Sequence, residues 1–139
     1  MEVKIKNIDR LLSKFKQVGK LDLKPVITEC TVLVEAQAKL LCPVNSGDLM
    51  GSIHPEVKES ENKVYGRVYT QKWYAPYVEF GTGLFAENGA GRKDVPWNYQ
   101  DDKGEWHSTR GQKPQPFMRP ALNENRTEII RIIKEGLDK

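Results

Sequence analysis

The segment 73-WYAPYVEFGTG-83 places four aromatic rings beside one carboxylate, Glu79, and ends in two glycines. Pro76 suits the first turn of a helix, because its missing N–H would have no partner there. Gly81 suits the left-handed residue that commonly ends such a turn. The spacing of these two residues predicts one helical turn over Pro76–Phe80.

An extended strand is the alternative for this segment, because Tyr74, Val78 and Phe80 partly alternate along it. In the helical turn, Tyr77 and Phe80 project to one side, while Glu79 projects away or is held by backbone N–H groups. Either conformation predicts an aromatic plug between two strand-rich regions, and in part ordinary core, since large rings dominate the energetics of cores and interfaces. A carboxylate among rings must be hydrogen-bonded or paired, so we expect Glu79 to anchor the backbone rather than to catalyse a reaction.

The size of the chain predicts a single globular domain over residues 1–139. A chain of 139 residues can bury roughly two thirds of its unfolded surface. No apolar run approaches the ~18 residues of a membrane span, and the N-terminus lacks the apolar region of a signal peptide. These features predict a cytoplasmic protein with no membrane partner.

The charge of the chain gives a weak signal. A net charge of +3, from 22 basic and 19 acidic residues, is too small to indicate nucleic-acid binding by itself. Basic side chains are concentrated near the N-terminus, where an amphipathic helix is predicted over 4–18. Its lysine-rich face could contact phosphate, but a solvated surface is the preferred interpretation.

The central core helix is predicted over 25–42 by apolar residues that recur every three or four positions. It ends there because Pro43 biases Cys42 away from helical geometry. Cys30 precedes Cys42 by twelve positions in this helix, so at ~1.5 Å rise per residue their Cα atoms are about 18 Å apart. A disulfide requires roughly 4.4–6.8 Å, so both cysteines are expected to be buried, reduced thiols.

Two β-hairpins are predicted, over 51–70 and 95–108, from alternating apolar residues around polar turns. The polar, glycine-containing segment 84–94 between them is predicted to be a flexible loop. In the turn after the core helix, Gly47 is expected to relieve the backbone and Leu49 to anchor the turn in the core.

The order of predicted elements indicates the fold class. If the second hairpin turns over Asp101–Gly104, Tyr99 faces Trp106 across the strands. A C-terminal amphipathic helix is predicted over 117–137. Helix, helix, hairpin, turn, hairpin and helix predict an α+β fold. We expect an antiparallel sheet of two hairpins packed on the central helix, with amphipathic helices at both termini.

The sequence contains little that indicates an active site. His54 and His107 are its two histidines, and neither has neighbours in an HExxH-type or CxxC-type pattern. The glycines around Thr82 lack the Gly-Lys-Ser/Thr ending of a phosphate-binding loop. We therefore expect no enzyme activity, catalytic residue, metal, cofactor or small-molecule substrate. A hydrolase that combines Glu79 with His54 or His107 is the minor alternative.

Three motifs occur in order along the chain: 42-CPVNSGDL-49 with 52-SI-53, then 74-YAPYVEFGT-82, and then 114-PQPFMRPAL-122. Their order and spacing resemble the small head–tail connector, or tail-completion, proteins of long-tailed bacteriophages and prophages, the "gene product ten"-like family. The resemblance spans about residues 25–139. Asn45-Ser46 stands where family members usually have Asp-Thr, which preserves the capping chemistry.

The resemblance implies a non-enzymatic virion protein of the neck, where the tail tube joins the head. It also implies a ring, often of six copies, whose partners are its own copies and other neck and tail proteins. The protein would occupy the host cytoplasm during assembly and the virion neck or tail afterwards. The residues expected to form the structural motif are Pro43, Gly47, Leu49, Tyr74, Tyr77, Glu79, Phe80, Gly81, Pro116, Phe117, Arg119 and Pro120.

The chain also has more aromatic and apolar segments than one small core needs, and a ring requires two different patches that meet. The candidate interface residues outside the motifs are Phe85, Arg92, Lys93, Trp97 and Trp106. A small basic nucleic-acid-binding protein is the alternative, suggested by the N-terminal lysines and by Arg92, Lys93, Arg110 and Lys113. Non-specific contact with DNA is also compatible with a neck protein, because DNA passes through the bore of the neck.

Overall fold

The computed structural model describes residues 1–4, 22–44, 47–61, 63–101 and 103–138. The chain forms two compact units, one from the described residues of Met1–Gln71 and Phe117–Lys139 and one from Lys72–Pro116. Helices and antiparallel sheets both occur, so the predicted α+β class is confirmed. No helix in these ranges is long and apolar enough to cross a bilayer. The single domain over 1–139 stays a prediction.

The first unit contains a three-stranded antiparallel sheet. Its strands are β1 (Glu2–Lys4), β2 (His54–Ser60) and β3 (Lys63–Tyr69), in the order β1-β3-β2. The sheet packs on helix α1 (Lys24–Leu41). Every second residue of β3 faces this helix, and the glycine at position 66 lets the two backbones approach closely.

Helix α1 is the central helix that the sequence predicts over 25–42, and each of its bounds lies one residue before the predicted one. A proline lies in its first turn, where a missing N–H has no consequence. The residues buried on its inner face are Ile27, Cys30, Thr31, Val34 and Ala38. Full burial of each large apolar side chain contributes about 1.5–3 kcal/mol, so this face anchors the first unit.

A short helix, α2 (Asp48–Gly51), follows the central helix. Gly47 precedes it with a φ of +86°, a left-handed conformation that suits glycine. Leu49 is buried, as expected for the anchor of this turn. The capping groups of Asn45 and Ser46 lie outside the described residues.

The second unit contains helix α3 (Ala75–Phe80), a 3-10 turn (Gly83–Phe85) and a hairpin of strands β4 (Trp97–Gln100) and β5 (Trp106–Thr109). In the described part of the chain, β4 and β5 pair only with each other. The expectation that both hairpins share one sheet is therefore corrected. Strand β1 pairs with the edge of β3 that lies opposite β2, and the second hairpin forms a sheet of its own.

The second hairpin has a longer turn than the sequence predicts. Tyr99 pairs with His107 rather than with Trp106, so the predicted contact between Tyr99 and Trp106 is wrong. The Asp101 carboxylate accepts hydrogen bonds from two backbone N–H groups within the turn, each at 2.9 Å. These bonds favour a turn that includes Glu105, which shifts the register by one residue.

The C-terminal segment predicted as one helix over 117–137 forms two, α4 (Met118–Asn123) and α5 (Arg126–Leu137). The break lies at Asn125, whose side-chain amide donates to the Ala121 carbonyl at 2.7 Å. Asn side chains compete with helical backbone hydrogen bonds in this way. One predicted helix is therefore corrected to two.

The predicted N-terminal helix over 4–18 lies almost entirely outside the described residues, which include 1–4 and then 22–44. Its first residue, Lys4, belongs to β1. Glu2, Val3 and Lys4 alternate between polar and apolar side chains, a pattern that suits a strand.

The two thiols are buried and unpaired, as the sequence predicts. Burial raises the pKa of the Cys30 thiol to about 11. Burial also raises the pKa of the Cys42 thiol above its ordinary value. Both side chains are therefore protonated at neutral pH and behave as small apolar groups.

Candidate functional site

Helix α3 is the conformation that the aromatic segment adopts, in agreement with the helical turn predicted from Pro76 and Gly81. Gly81 ends the helix with a φ of +81°. A Cβ on Gly81 would lie 2.8 Å from the carbonyl oxygen of Phe85 and 2.9 Å from that of Gln112. Both the backbone conformation and the lack of space therefore require glycine at this position.

Three of the four rings of this segment lie at the surface, which corrects the expectation of an aromatic plug. Trp73 is 78% exposed, Tyr77 is 53% exposed and Phe80 is 41% exposed. Ala75 and Glu79 are fully buried, and their spacing of four residues places them on one face of the helix. The short helix thus buries its smallest side chain and its carboxylate, and it presents its rings to solvent.

Three rings of this segment contact one another. The ring of Trp73 lies edge-on to the rings of Tyr74 and Tyr77, with centroid distances of 5.6 Å and 6.1 Å. Edge-on aromatic pairs contribute about 0.5–1.5 kcal/mol beyond the area that they bury. These contacts stabilise a preformed aromatic surface.

Backbone hydrogen bonds position the loop that follows α3. The N–H of Thr82 donates to the carbonyl of Gln112 at 2.9 Å, and the N–H of Leu84 donates to that of Arg110 at 3.2 Å. The predicted flexible loop, 84–94, therefore begins at Leu84, a residue whose backbone N–H is hydrogen-bonded. Its flexibility stays a prediction.

A groove of about 490 Å³ lies between α3 and this loop. Its volume falls in the range of roughly 300–1,000 Å³ that is typical of ligand pockets. Aromatic rings, glycines and alanines form most of its lining, and we call it the aromatic groove; its lining includes Tyr77, Phe80, Gly81, Gly83, Arg92 and Trp97. Arg92 is the one charged residue among the described residues of that lining.

The guanidinium of Arg92 lies over the ring of Trp97, with Cζ 5.2 Å from the ring centroid. Such cation–π contacts contribute about 0.5–1 kcal/mol at exposed sites. Nη2 of Arg92 also lies 3.7 Å from a carboxylate oxygen of Asp94, a solvated pair that contributes little. The aromatic groove therefore has a cation held at its wall.

The tip of the second hairpin combines a hydrogen-bonded turn with an exposed ring. His107 Nε2 lies 2.7 Å from Asp101 Oδ2, and its ring stacks on Tyr99 with centroids 5.3 Å apart. The hydrogen bond with His107 lowers the pKa of the Asp101 carboxyl. Ligand atoms of Asp101, Glu105 and His107 lie within 4.8 Å of one another, but the turn accounts for this arrangement. Trp106, at the start of β5, is 71% exposed.

The structure distributes the predicted motif residues over both units. Those in the first unit are Pro43, Gly47, Leu49, Phe117, Arg119 and Pro120. Those in the second unit are Tyr74, Tyr77, Glu79, Phe80, Gly81 and Pro116. Of the predicted interface residues, Arg92 and Trp97 line the aromatic groove, while Phe85, Lys93 and Trp106 are not part of its lining.

The polar end of the aromatic groove was not predicted from the sequence. Asn88 lines the groove, and its side-chain oxygen accepts a hydrogen bond from the N–H of Ala90 at 2.9 Å. The pair Asn88-Gly89 is a common turn signal, and it would have indicated a shaped turn here.

A known protein family matches more than half of the chain. The family described as "Bacteriophage HK97-gp10, putative tail-component" matches residues 6–81. The match ends at Gly81, before the loop and hairpin that complete the aromatic groove. No curated protein and no solved structure matches the chain. The match covers more than half of the 139 residues and confirms the resemblance seen in the motifs, so the chain belongs to the HK97-gp10-like family.

Proposed function

We propose that this protein is a structural component of the phage virion that completes the neck or tail end by assembling as a ring at the head–tail junction. The family description supports a structural role in the tail. The position at the junction and the ring are the further parts of the proposal.

The exposed apolar surface of the second unit is the observation that most favours assembly. Among the described residues, sixteen apolar residues are buried, and Ala75 is the one that belongs to this unit. The large apolar side chains that this unit exposes are Trp73, Tyr77, Phe80, Leu84, Phe85, Tyr99 and Trp106. Extensive exposed apolar surface typically marks an interaction site. Trp and Tyr are also enriched among the residues that dominate binding energy.

A ring requires a patch on one copy to meet a different patch on the next copy. We propose that the second unit supplies these patches, with Phe85, Arg92, Lys93, Trp97 and Trp106 among the contacts. Other neck or tail proteins are the remaining partners. Assembly takes place in the host cytoplasm, and the assembled protein is part of the virion neck or tail.

The absence of enzyme activity is also part of the proposal. Glu79 is fully buried, so its carboxylate does not face solvent. His107 is hydrogen-bonded to Asp101 within a turn. His54 lies on β2 with its ring 6.0 Å from that of Tyr69. These local structural roles support a protein without a substrate.

Non-specific contact with DNA in the bore is a secondary proposal. The sequence of the second unit has six basic and six acidic residues, a balance that does not favour a phosphate-binding surface. Most of the N-terminal lysines that suggest this contact lie outside the described residues. True binding to DNA would weaken steeply as the salt concentration rises.

A phage that lacks this gene provides the test of the main proposal. Electron microscopy of its lysates should show full heads and separate tails, or tails with unfinished ends. A plasmid copy of the wild-type gene should restore joined particles, which controls for effects on neighbouring genes. Normal infectious particles in the absence of the protein would contradict the proposal.

A further inference from the structure

We propose that the aromatic groove of one copy binds the Trp106 side chain of the next copy, with the adjacent Glu105 paired to Arg92. This inference rests on the proposed ring assembly and specifies the two patches that meet. Both patches belong to the second unit, so this one unit of each copy provides both the donor side chain and the acceptor groove.

The chemistry of the aromatic groove defines what it can accept. Its lining is mostly aromatic rings, glycines and alanines, and the guanidinium of Arg92 supplies the charge at its wall. A suitable occupant is a large apolar group that has a carboxylate beside it. A hydrogen bond between a guanidinium and a carboxylate is roughly twice as strong as a neutral one.

Among the exposed rings, Trp106 meets this description best. It follows Glu105 directly, and both side chains are exposed at the tip of the second hairpin. The turn sequence Asp101–Glu105 has three acidic residues and one lysine. Trp73 is equally exposed, but its neighbour is Lys72, whose charge has the same sign as that of Arg92. Charge complementarity therefore favours Trp106 as the occupant.

The register of the hairpin keeps Trp106 away from the groove of its own chain. Trp97, in the groove wall, pairs with Thr109, whereas Trp106 pairs with Gln100 three residues further along β4. At ~3.4 Å per residue, the two positions are about 10 Å apart along the strands. Trp106 is accordingly exposed and is not part of its own groove lining. Donor and acceptor at opposite ends of one hairpin suit a head-to-tail contact between copies.

Mixing two variants tests this contact. Trp106→Ala removes the donor and Arg92→Glu damages the acceptor, and each should weaken self-association in sedimentation experiments by about tenfold or more. An equimolar mixture should form dimers and nothing larger, because one intact donor then meets one intact acceptor. The charge swap Arg92→Glu with Glu105→Arg should restore association.

Two control variants match these changes. Lys113→Glu makes the same charge change at an exposed residue of the second unit that lies outside the groove lining and the proposed contacts, and it should leave association unchanged. Leu40→Ala removes an exposed apolar side chain from the first unit, and it should also have no effect. Association that is equally weakened by the controls, or unaffected by Arg92→Glu and Trp106→Ala, would overturn the proposed contact.

A photo-crosslinking residue at position 106 extends the test to assembled tails, whatever the state of the isolated chain. Crosslinks to the groove residues of a second copy would support the contact, even for a protein that is monomeric in solution. Crosslinks only to a different virion protein, or none, would overturn it and leave the tail location intact. Absence of the protein from purified tails would instead overturn the proposed function.

Discussion

Gly66 of β3 lies directly against Thr31 of α1, and a Cβ at position 66 would occupy the place of the Thr31 hydroxyl. The same Cβ would lie 3.2 Å from a methyl carbon of Ile27. The Thr31 hydroxyl donates to the Ile27 carbonyl at 2.7 Å, so it is satisfied where it stands. Sheet and helix are therefore packed together without room for one methyl group.

Gly66→Ala should lower the free energy of unfolding by about 1–3 kcal/mol, the usual cost of overpacking a well-packed core. Chemical denaturation measures this change directly. Thr31→Ala removes the clashing hydroxyl, so the double variant should be more stable than Gly66→Ala alone, a non-additive result. Gly51→Ala is the control, because no atom lies within 4 Å of its added Cβ. Equal stability of Gly66→Ala and the wild type would contradict this account of the packing.

Arg67 connects all three strands of the first sheet, and this should make the sheet sensitive to acid. Its guanidinium contacts Glu2 of β1 at 2.8 Å and also pairs with Glu56 of β2. The hydrogen bond from Arg67 lowers the pKa of the Glu56 carboxyl below its ordinary 4.5. A lowered folded-state pKa gives stability that is complete above pH 4.5 and is lost as the pH falls through the folded value.

Arg67→Met should therefore destabilise the protein at neutral pH and have a smaller effect in acid, where Glu56 is protonated in both proteins. Denaturation midpoints at the two pH values test the difference, and amide exchange of β1 shows whether this strand frays. Lys58→Met is the control, because Lys58 lies 3.4 Å from the same carboxylate but is more exposed. An effect of Arg67→Met that does not depend on pH would argue against the pairing.

The Cys30 thiol should be inert in the folded protein. It is fully buried, with Sγ 4.0 Å from the Ile129 carbonyl, and burial raises its pKa to about 11. A thiol reagent at mildly alkaline pH should label it only at the rate of local opening, because the thiolate is the reactive form. Rapid labelling of the native protein at Cys30 would show that the interface between α1 and α5 is more open than the contact between Cys30 and Ile129 indicates.

The same pKa shift predicts a loss of stability at high pH. The folded-state pKa is about 11, against 9.0 for an unperturbed thiol, so the stability due to Cys30 is complete below pH 9 and is lost as the pH rises towards 11. Cys30→Ala should remove this part of the pH dependence. The difference between wild-type and variant denaturation curves isolates it from the titration of lysine and tyrosine, and parallel pH profiles would contradict the prediction.

Local sequence patterns predicted the helices well where one physical cause was dominant. Helix α1 follows from an apolar repeat between Pro25 and Pro43, and α3 follows from Pro76 and Gly81. The errors arose where a polar side chain changed the backbone. Asp101 lengthened a turn through hydrogen bonds that the pattern does not contain, and in the same way the Asn125 amide divided the last helix.

The aromatic groove was less predictable than the helices. Apolar content does not distinguish a ring buried in a core from a ring kept at a surface for a partner, so the exposure of Trp73, Tyr77 and Phe80 was not foreseen. The groove also depends on a long-range backbone pairing between the segments at Thr82 and Gln112. No repeat in the sequence indicates that pairing.

Gly81 and Gly89 both have a positive φ, but only Gly81 lacks space for a side chain. Alanine variants at the two positions therefore separate the effect of backbone conformation from the effect of close packing. Their φ values are +81° and +70°, but a Cβ would be crowded by two carbonyl oxygens at Gly81 and would meet no atom within 4 Å at Gly89. Alanine at a strained position of positive φ costs about 1–3 kcal/mol, and overpacking adds about 1–3 kcal/mol at Gly81. Gly81→Ala should therefore increase amide exchange at Thr82 and Gln115, whose N–H groups bond within the second unit, much more than Gly89→Ala does. It should also weaken any assembly that uses the aromatic groove. Equal exchange in the two variants would mean that backbone conformation, and not close packing behind α3, explains the glycine at position 81.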